Sequence, residues 1–390
     1  MIPIHLKHYL FLLIAAVLAL NVSAQSFSIG NTTSTFFDSS RNRDVETRIY
    51  YPADSPGENV PVATGSFPVL VLGHGFLIPV EAYQNFWEAL VPEGYVLCLP
   101  TTESGPAPSH EEFGRDLAFV AAEMQLEHAN ASSMFFNALN QNTALMGHSM
   151  GGGASFLAAE GNSDIQALVN FAAAETNPSA ISAAENITVP TLVFSGDDDC
   201  VTPPGQHQTH MYNSSASDCK THISIVNGGH CYFANFDVLC TLGESSCNPV
   251  LDITREEQQA VTFDFLKHWL RTAVYNDQAA LGIFNDSLQA STRINFTQEC
   301  NSIGIAEQME EELRVFPNPV ADELRLQIPA ERLGGWLAVY NTMGQRVVLT
   351  TITASNAPVD VSALPAGVYL VVYRNGSFEQ AARMVKVVGH

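Results

Sequence analysis

The sequence predicts an α/β fold with a mostly parallel sheet that helices cover on both faces, followed by a small β-sandwich. From about Asn31 to Trp269, short continuous apolar runs alternate with segments of helical spacing. Such runs are typical of parallel strands that are buried on both faces. From Val315 onward, short alternating segments separated by turn residues are typical of a sandwich. A length of 390 residues is compatible with two domains.

The predicted elements of the first domain follow one another in a regular order. The runs interpreted as strands are VETRIYYP, FPVLVLGHG, YVLCLP, TALM, IQALVNFA, VPTLVFSG and, last, KTHISIVNGG. The segments interpreted as helices are Ala82–Leu90, EEFGRDLAFVAAEMQLEHA, ASFLAA and, closing the set, TREEQQAVTFDFLKHWL. Only a short connection separates NFAAAE from VPTLVF, so we expect no large cap domain and an open site.

The N-terminal residues 1–24 are predicted to be a signal peptide. Lys7 gives a positive start, Tyr9–Leu20 is an apolar stretch, and Val22–Ala24 is a small-residue cleavage site. The apolar stretch is shorter than the roughly 20 residues that span a bilayer, although an uncleaved anchor stays an alternative. We therefore divide the chain into the signal peptide, the predicted α/β domain (25–300), a linker (301–313) and the sandwich (314–390), with no membrane span in the mature protein.

Charge and cysteine content restrict the function classes. A net charge of −23 disfavours nucleic acid as a partner. No His/Asp cluster has metal-ligand spacing, so we expect neither a metal nor another cofactor.

Export permits disulfides, and seven cysteines leave at least one unpaired, for which we choose Cys98 in its apolar run. Predicted strand ends favour the pair Cys200–Cys231, and Cys240 and Cys247 are close enough in sequence to close a second, small loop.

Ser149 is the candidate nucleophile. The segment GHSMGG places it between a short apolar strand and a helix, at a corner where the side chain projects from the carboxyl edge of the sheet. A tight turn without chemistry is the alternative interpretation. The decision between the two depends on whether an acid and a base reach the same edge.

A candidate acid and a candidate base follow two later strands. Asp199 precedes a short CVTPP turn, although the neighbouring Asp197 and Asp198 are alternatives. His230 comes after two glycines that allow a sharp loop at the end of the last strand. The order serine, acid, histidine is the one that this sheet topology requires. The competing histidines lie on a predicted helix or within a strand: His207, His210 and His222.

Backbone N–H groups of Phe76 and Met150 are the candidate oxyanion hole. Phe76 ends the GHGF turn after an early strand, and Met150 follows the serine. Such donors stabilise the negative charge that develops on a carbonyl oxygen under attack. His74 and His148 flank these turns and are predicted to shape the substrate pocket.

With these motifs in place, residues 30–275 resemble the α/β-hydrolase superfamily. The segments GHGF, GHSMGG, DDDCVTPP and NGGHC carry the resemblance, and within the superfamily the chain is similar to chlorophyllases and to the lipase–cutinase–polyesterase group. The resemblance implies ester hydrolysis through an acyl-serine. Polyester-cleaving members carry an aromatic residue where this chain has Ala173, Ala174 and Glu175, so Ala174 and Glu175 are expected in the pocket.

The C-terminal residues 314–390 resemble the type A sorting domain of the type IX secretion system of Bacteroidetes. The matching segments are VFPNPVADELRLQI, VYNTMGQRVV, LPAGVYLVVYRNG and RMVKVV. The resemblance implies passage through the outer membrane with the secretion machinery as partner, followed by release or surface attachment. A carbohydrate-binding sandwich is the alternative.

The sequence thus predicts a secreted, monomeric serine esterase that acts on short, medium-chain or polymeric esters. A cutinase-like hydrolase of terephthalate polyesters, a peptidase or amidase with the same three residues, and a catalytically silent binding protein are the alternatives.

Overall fold

The computed structural model describes residues 26–247, 249–300, 313–328, 333–341, 346–375 and 378–387. The chain divides into two compact units between Cys300 and Asn301. The predicted signal peptide (1–24) lies outside the described residues, and so does the predicted linker (301–313) except for Leu313.

The first unit is built on a sheet of ten strands. Their bounds are β1 (Ser28–Asp38), β2 (Arg43–Ala53), β3 (Gly57–Glu58), β4 (Phe67–Gly73), β5 (Val96–Pro100), β6 (Leu139–His148), β7 (Ala167–Phe171), β8 (Thr191–Gly196), β9 (Cys219–Ile225) and β10 (Ile294–Cys300). The order across the sheet is β10-β9-β8-β7-β6-β4-β5-β2-β1-β3. Neighbours from β9 to β5 are parallel, whereas β10, β2 and β1 pair antiparallel.

Eight α-helices accompany this sheet in the described part of the first unit. Their bounds are α1 (Gln84–Leu90), α2 (His110–Ala129), α3 (Met150–Ala159), α4 (Ala180–Ala184), α5 (Gln208–Ser214), α6 (Val238–Ser245), α7 (Arg255–Tyr275) and α8 (Gln278–Ala290). Side chains of β4 alternate between two cores, because successive strand residues point to opposite faces. Leu70 and Leu72 join the core under α1, α7 and α8, and Val69 and Val71 join the core under α2–α5. The predicted fold class is confirmed.

Six elements of this unit were not predicted: β1, β3, α4, α6, α8 and β10. The strand β10 pairs antiparallel with β9 at the edge of the sheet. Its burial alternates between buried or partly buried and exposed side chains, so it lacks the continuous apolar run of the inner strands. Between β7 and β8 the chain forms only the five-residue α4, in keeping with the absence of a large cap.

Three disulfides cross-link this unit, and both predicted pairings are wrong. The bonds are Cys200–Cys247, Cys219–Cys300 and Cys231–Cys240. The prediction placed Cys200 opposite Cys231, but Cys231 pairs with Cys240 on α6, and Cys200 pairs with Cys247, two residues after the end of α6. Cys98 is the free, buried cysteine, as predicted, and burial raises the pKa of its thiol.

The second unit consists of two antiparallel sheets that share one core. The three-stranded sheet contains β11 (Arg314–Phe316), β12 (Glu323–Gln327) and β15 (Pro358–Asp360). The four-stranded sheet contains β13 (Trp336–Tyr340), β14 (Arg346–Thr351), β16 (Gly367–Asn375) and β17 (Phe378–Lys386). Leu324 and Leu326 from one sheet pack with Val339 and Val371 from the other.

Candidate active site

Ser149 occupies the sharp corner between β6 and α3. Its φ of 55° and ψ of −118° lie in a region that non-glycine residues rarely adopt. The strain is held by neighbours, since the Ser149 N–H donates to the carbonyl of Phe171 at 2.9 Å. A Cβ on Gly151 would overlap the backbone of Gly73, so the glycine allows α3 to approach the end of β4. The glycines that follow Ser149 therefore allow the sharp turn between β6 and α3.

Three side chains from separate strand ends form one hydrogen-bonded series. Ser149 follows β6, Asp199 follows β8, and His230 follows β9. Nε2 of His230 lies 2.9 Å from Oγ of Ser149, and Nδ1 lies 2.8 Å from Oδ2 of Asp199. Since a carboxylate only accepts, Nδ1 carries the proton and Nε2 can accept the proton of the serine hydroxyl.

The carboxylate of Asp199 is kept ionised in a buried position. Burial by itself would raise its pKa, but the charge and hydrogen bond of His230 and the hydrogen bonds of Thr202 lower the pKa below its ordinary value. Oδ1 accepts the N–H groups of Val201 and Thr202 at 2.9 and 2.8 Å. The hydroxyl of Thr202 donates to Oδ2 at 2.8 Å and accepts from Nε2 of Gln208 at 3.0 Å. Asp199 is thus oriented on both oxygens.

The two candidate oxyanion donors follow neighbouring strands: Phe76 lies in the loop after β4, and Met150 lies after β6. Met150 is the first residue of α3, where backbone N–H groups have no partner within the helix. Phe76 follows Gly75, whose N–H donates to the hydroxyl of Tyr83 at 2.7 Å. The side chain of Phe76 is exposed, whereas Met150 is buried.

The structure places His148 and His74 inside the protein. Burial, with the neighbouring His230, lowers the pKa of His148 to about 3, so its ring is neutral. Nε2 of His148 donates to the carbonyl of His230 at 3.1 Å, and Nδ1 accepts from the Tyr83 hydroxyl at 2.9 Å. Nε2 of His74 lies 2.9 Å from the carbonyl of Thr102. Both rings support the walls of the site and offer almost no surface to a substrate.

The remaining predicted residues lie around this series. Ala174 and Glu175 are partly exposed, and the N–H of Ala174 donates to the carbonyl of Ser149 at 2.8 Å. Nδ1 of His207 accepts the N–H of Glu175 at 2.9 Å. Nε2 of His222 lies 2.9 Å from Oγ of Ser195, inside the sheet.

Three supporting residues escaped the sequence analysis: Tyr83, Thr202 and Glu244. Thr202 lies in the CVTPP turn, so its proximity to the acid was available from the sequence. Tyr83 and Glu244 reach the site from distant segments, and no local pattern indicates their roles. Among the described residues, no group of three or more His, Cys, Asp or Glu side chains is arranged to hold a metal ion. Nor does any helix in the described ranges have the length and apolar character needed to cross a bilayer.

Comparison with known proteins agrees with this geometry. Residues 22–245 match the family model described as PET hydrolase-like, and residues 314–387 match that of the secretion system C-terminal sorting domain. Cutinase est1 of Thermobifida alba is 34% identical over 187 residues, which are 47% of this chain and 56% of that protein. The bis(hydroxyethyl) terephthalate hydrolase of Streptomyces coelicolor is 24% identical over 184 residues, 47% of this chain and 54% of that protein.

The chain spans about half the length of the curated relatives that it matches. Its sorting domain indicates secretion. The PET hydrolase-like model covers more than half of the chain, including Ser149, Asp199 and His230. With its α/β sheet and this match, the chain belongs to the PET hydrolase-like family.

Proposed function

We propose that the protein is a secreted serine hydrolase that cleaves carboxylic esters through an acyl-serine intermediate. The observation that carries the proposal is the series from Ser149 through His230 to Asp199, with contacts of 2.9 and 2.8 Å. The similarity to a cutinase and to a terephthalate ester hydrolase supports the same chemistry. No other residue series in the described part of the chain joins a hydroxyl, an imidazole and a carboxylate in this order.

The first half-reaction forms the acyl-enzyme. Nε2 of His230 takes the hydroxyl proton as Oγ of Ser149 attacks the ester carbonyl, and Asp199 stabilises the imidazolium that results. The carbonyl oxygen becomes negative and accepts the N–H groups of Phe76 and Met150. Each such donor contributes about 3 kcal/mol to stabilisation of the transition state. The C–O bond then breaks, and His230 gives its proton to the departing alcohol.

The second half-reaction releases the acid. Water enters the position that the alcohol has left, His230 removes a proton from it, and the hydroxide attacks the acyl carbonyl. The same two N–H groups stabilise the second oxyanion. Collapse of the intermediate returns the proton to Oγ of Ser149 and frees the carboxylic acid.

Polymeric esters are a second substrate class that one observation favours. Exposed apolar side chains follow the His230 loop, and α6, which carries most of them, is bonded to that loop through Cys231–Cys240. The side chains are Phe236, Val238, Leu239 and Leu242, between 52% and 67% exposed. Large exposed apolar patches are typical of contact surfaces. The resemblance to polyester-cleaving hydrolases implies an aromatic residue in the stretch that Ala173, Ala174 and Glu175 occupy here, and this departure argues for aliphatic over terephthalate chains.

Hydrolysis of p-nitrophenyl esters of increasing acyl length by the full chain tests the proposal. We expect turnover that Ser149→Ala abolishes, and labelling of Ser149 by a fluorophosphonate. A parallel assay compares bis(hydroxyethyl) terephthalate with an aliphatic polyester film. Hydrolysis of peptide anilides instead would identify an amidase, and neither turnover nor labelling would identify a binding protein.

We further propose that the protein acts as a monomer and that the type IX secretion machinery is its partner during export. A single chain supplies all the proposed catalytic groups, so the site is complete without a second copy. Light scattering of the purified chain measures the oligomeric state. Deletion of residues 314–390 is expected to retain the protein inside the cell.

A further inference from the structure

A buried carboxylate on α6 faces the backbone of the His230 loop. Glu244 is only 5% exposed. Its Oε1 accepts the N–H of His230 at 2.6 Å and that of Cys231 at 3.2 Å. The approach is close, because a Cβ on Gly229 would lie 2.6 Å from the same oxygen. This carboxylate therefore binds the backbone at the residue that carries the candidate base.

Two disulfides hold α6 in this position. Cys240 and Glu244 lie four positions apart on one side of α6, and Cys247 lies two residues beyond its end. Cys240 is bonded to Cys231 and Cys247 to Cys200, so α6 and the turn after it are joined to the residues that follow His230 and Asp199. Glu244 lies between these two bonds and has little freedom to move away from the loop.

The loop depends on such contacts, because its N–H groups have side-chain partners. Gln258 of α7 binds the residue before His230: its Oε1 accepts the N–H of Gly229 at 2.9 Å, and its Nε2 donates to the Gly229 carbonyl at 2.9 Å. Arg255 donates to the carbonyls of Cys231 and Ala234. Three successive N–H groups, from Gly229 to Cys231, are thus bound by Gln258 and Glu244.

A buried carboxylate is costly unless it is hydrogen-bonded. Backbone N–H groups that donate to an ionised acceptor form shorter and stronger hydrogen bonds than neutral pairs do. Such bonds fix the backbone from which the His230 side chain extends. The Nε2 atom of that side chain lies 2.9 Å from Oγ of Ser149 and must stay there. A displacement of about 1 Å at a reacting group lowers the rate about 100-fold.

We propose that Glu244 is a positioning residue for His230: its carboxylate holds the backbone of the catalytic histidine through hydrogen bonds, from a helix that one disulfide within it and a second just past its end fix in place. The inference rests on the proposed function, since it assigns His230 the role of base. Glu244 acts only through the His230 backbone.

The test compares Glu244→Ala with Glu244→Gln in the full chain, with p-nitrophenyl butyrate as substrate. Gln keeps an oxygen that accepts both N–H groups, whereas Ala has none. We expect Ala to lower kcat by about 10- to 100-fold with KM changed less than about twofold, and Gln to keep kcat within about threefold of wild type. If the Ala variant does not fold, Glu244→Met replaces it, because Met fills a similar volume without accepting these bonds.

Glu256→Ala is the matched control, because Glu256 is an exposed acid and its substitution removes the same charge as the substitution of Glu244. It is expected to leave kcat unchanged. Wild-type-like kcat in Glu244→Ala, or equal losses in the Gln and Ala variants, would overturn the positioning role. An inactive wild type that the fluorophosphonate does not label would instead refute the proposed function.

Discussion

The hydroxyl of Tyr83 lies 2.9 Å from Nδ1 of His148 and accepts the N–H of Gly75 at 2.7 Å. Nε2 of His148 in turn donates to the carbonyl of His230 at 3.1 Å. One buried chain of hydrogen bonds therefore joins the loop of a proposed oxyanion donor, the residue before the proposed nucleophile and the proposed base. The phenol of Tyr83 joins the first two of these segments directly, and His148 carries the connection on to His230.

We expect Tyr83→Phe to lower kcat about tenfold with little effect on KM. The change leaves the N–H of Gly75 and Nδ1 of His148 without their partner, and each unsatisfied buried group costs about 1–3 kcal/mol. Relaxation of either loop would shift the N–H of Phe76 relative to Ser149. Steady-state kinetics with a p-nitrophenyl ester measure the effect.

Tyr51→Phe is the control for this substitution. Tyr51 is buried, and its hydroxyl donates to the carbonyl of Val60 at 2.7 Å, away from the candidate site. We expect it to lower the free energy of unfolding and leave kcat unchanged. Equal kcat in Tyr83→Phe and wild type would show that the phenol only stabilises the fold.

The stability of the first unit should fall as the pH drops below about 6.5. Burial lowers the pKa of His148 to about 3 and that of His222 to about 4. The unfolded chain therefore binds more protons than the folded chain between these values and about 6.5, so stability is present above this range and is lost toward its acid end. For His148 the loss between pH 7.5 and 5 is on the order of 2 kcal/mol.

Substitution of His148 separates its share of this pH dependence. His148→Gln can accept from Tyr83 and donate to the His230 carbonyl but does not titrate, so the fall in stability should be smaller by about 2 kcal/mol. Urea unfolding at each pH measures this fall in stability, with hydrogen exchange of peptides from β6 as the probe of unfolding. His210→Gln removes an exposed histidine and should keep the wild-type slope. If the stability of His148→Gln fell with pH as steeply as that of the wild type, His148 would not be a source of the pH dependence.

Thr202→Val should lower kcat about three- to tenfold. The hydroxyl donates to Oδ2 of Asp199 at 2.8 Å, and its loss leaves that oxygen with fewer donors and raises the pKa of the carboxyl. Thr191→Val is the matched control. Thr191 is the first residue of β8, and its hydroxyl donates to the Val189 carbonyl. Kinetics of both variants at neutral pH make the comparison. Similar activities for the two would mean that Thr202 does not orient the acid.

The sequence predicts the parts of the site that depend on strand order. Ser149, Asp199 and His230 each follow an apolar run, and parallel strands end at the same edge of a sheet. This argument brings the residues together without knowledge of side-chain packing, and the contacts of 2.9 and 2.8 Å agree with it.

Pairwise contacts between remote segments could not be predicted in this way. Six cysteines allow 15 connectivities, and the observed one depends on where α6 packs. Cys300 lies opposite Cys219 because β10 adds to the edge of the sheet, and the polar alternation of β10 gave no strong strand signal. Glu244 likewise reaches the His230 backbone only through the packing of α6.

Removing two of the disulfides separately should distinguish their effects on stability from their effects on activity. Cys219–Cys300 joins two residues 81 positions apart at the edge of the sheet away from the site, and Cys231–Cys240 joins residues 9 positions apart beside His230. In the chain-entropy model, the longer loop stabilises by about 4–5 kcal/mol and the shorter one by about 3 kcal/mol.

We therefore expect Cys219→Ser/Cys300→Ser to cause the larger fall in Tm and to leave kcat at 25 °C near the wild-type value. Cys231→Ser/Cys240→Ser should cause the smaller fall in Tm and lower kcat several-fold, because α6 is then free to withdraw Glu244 from the His230 backbone. Calorimetry and ester kinetics on the same preparations measure both effects. If activity followed Tm across the two double variants, the bond beside the histidine would serve stability alone, and the position of His230 would not depend on it.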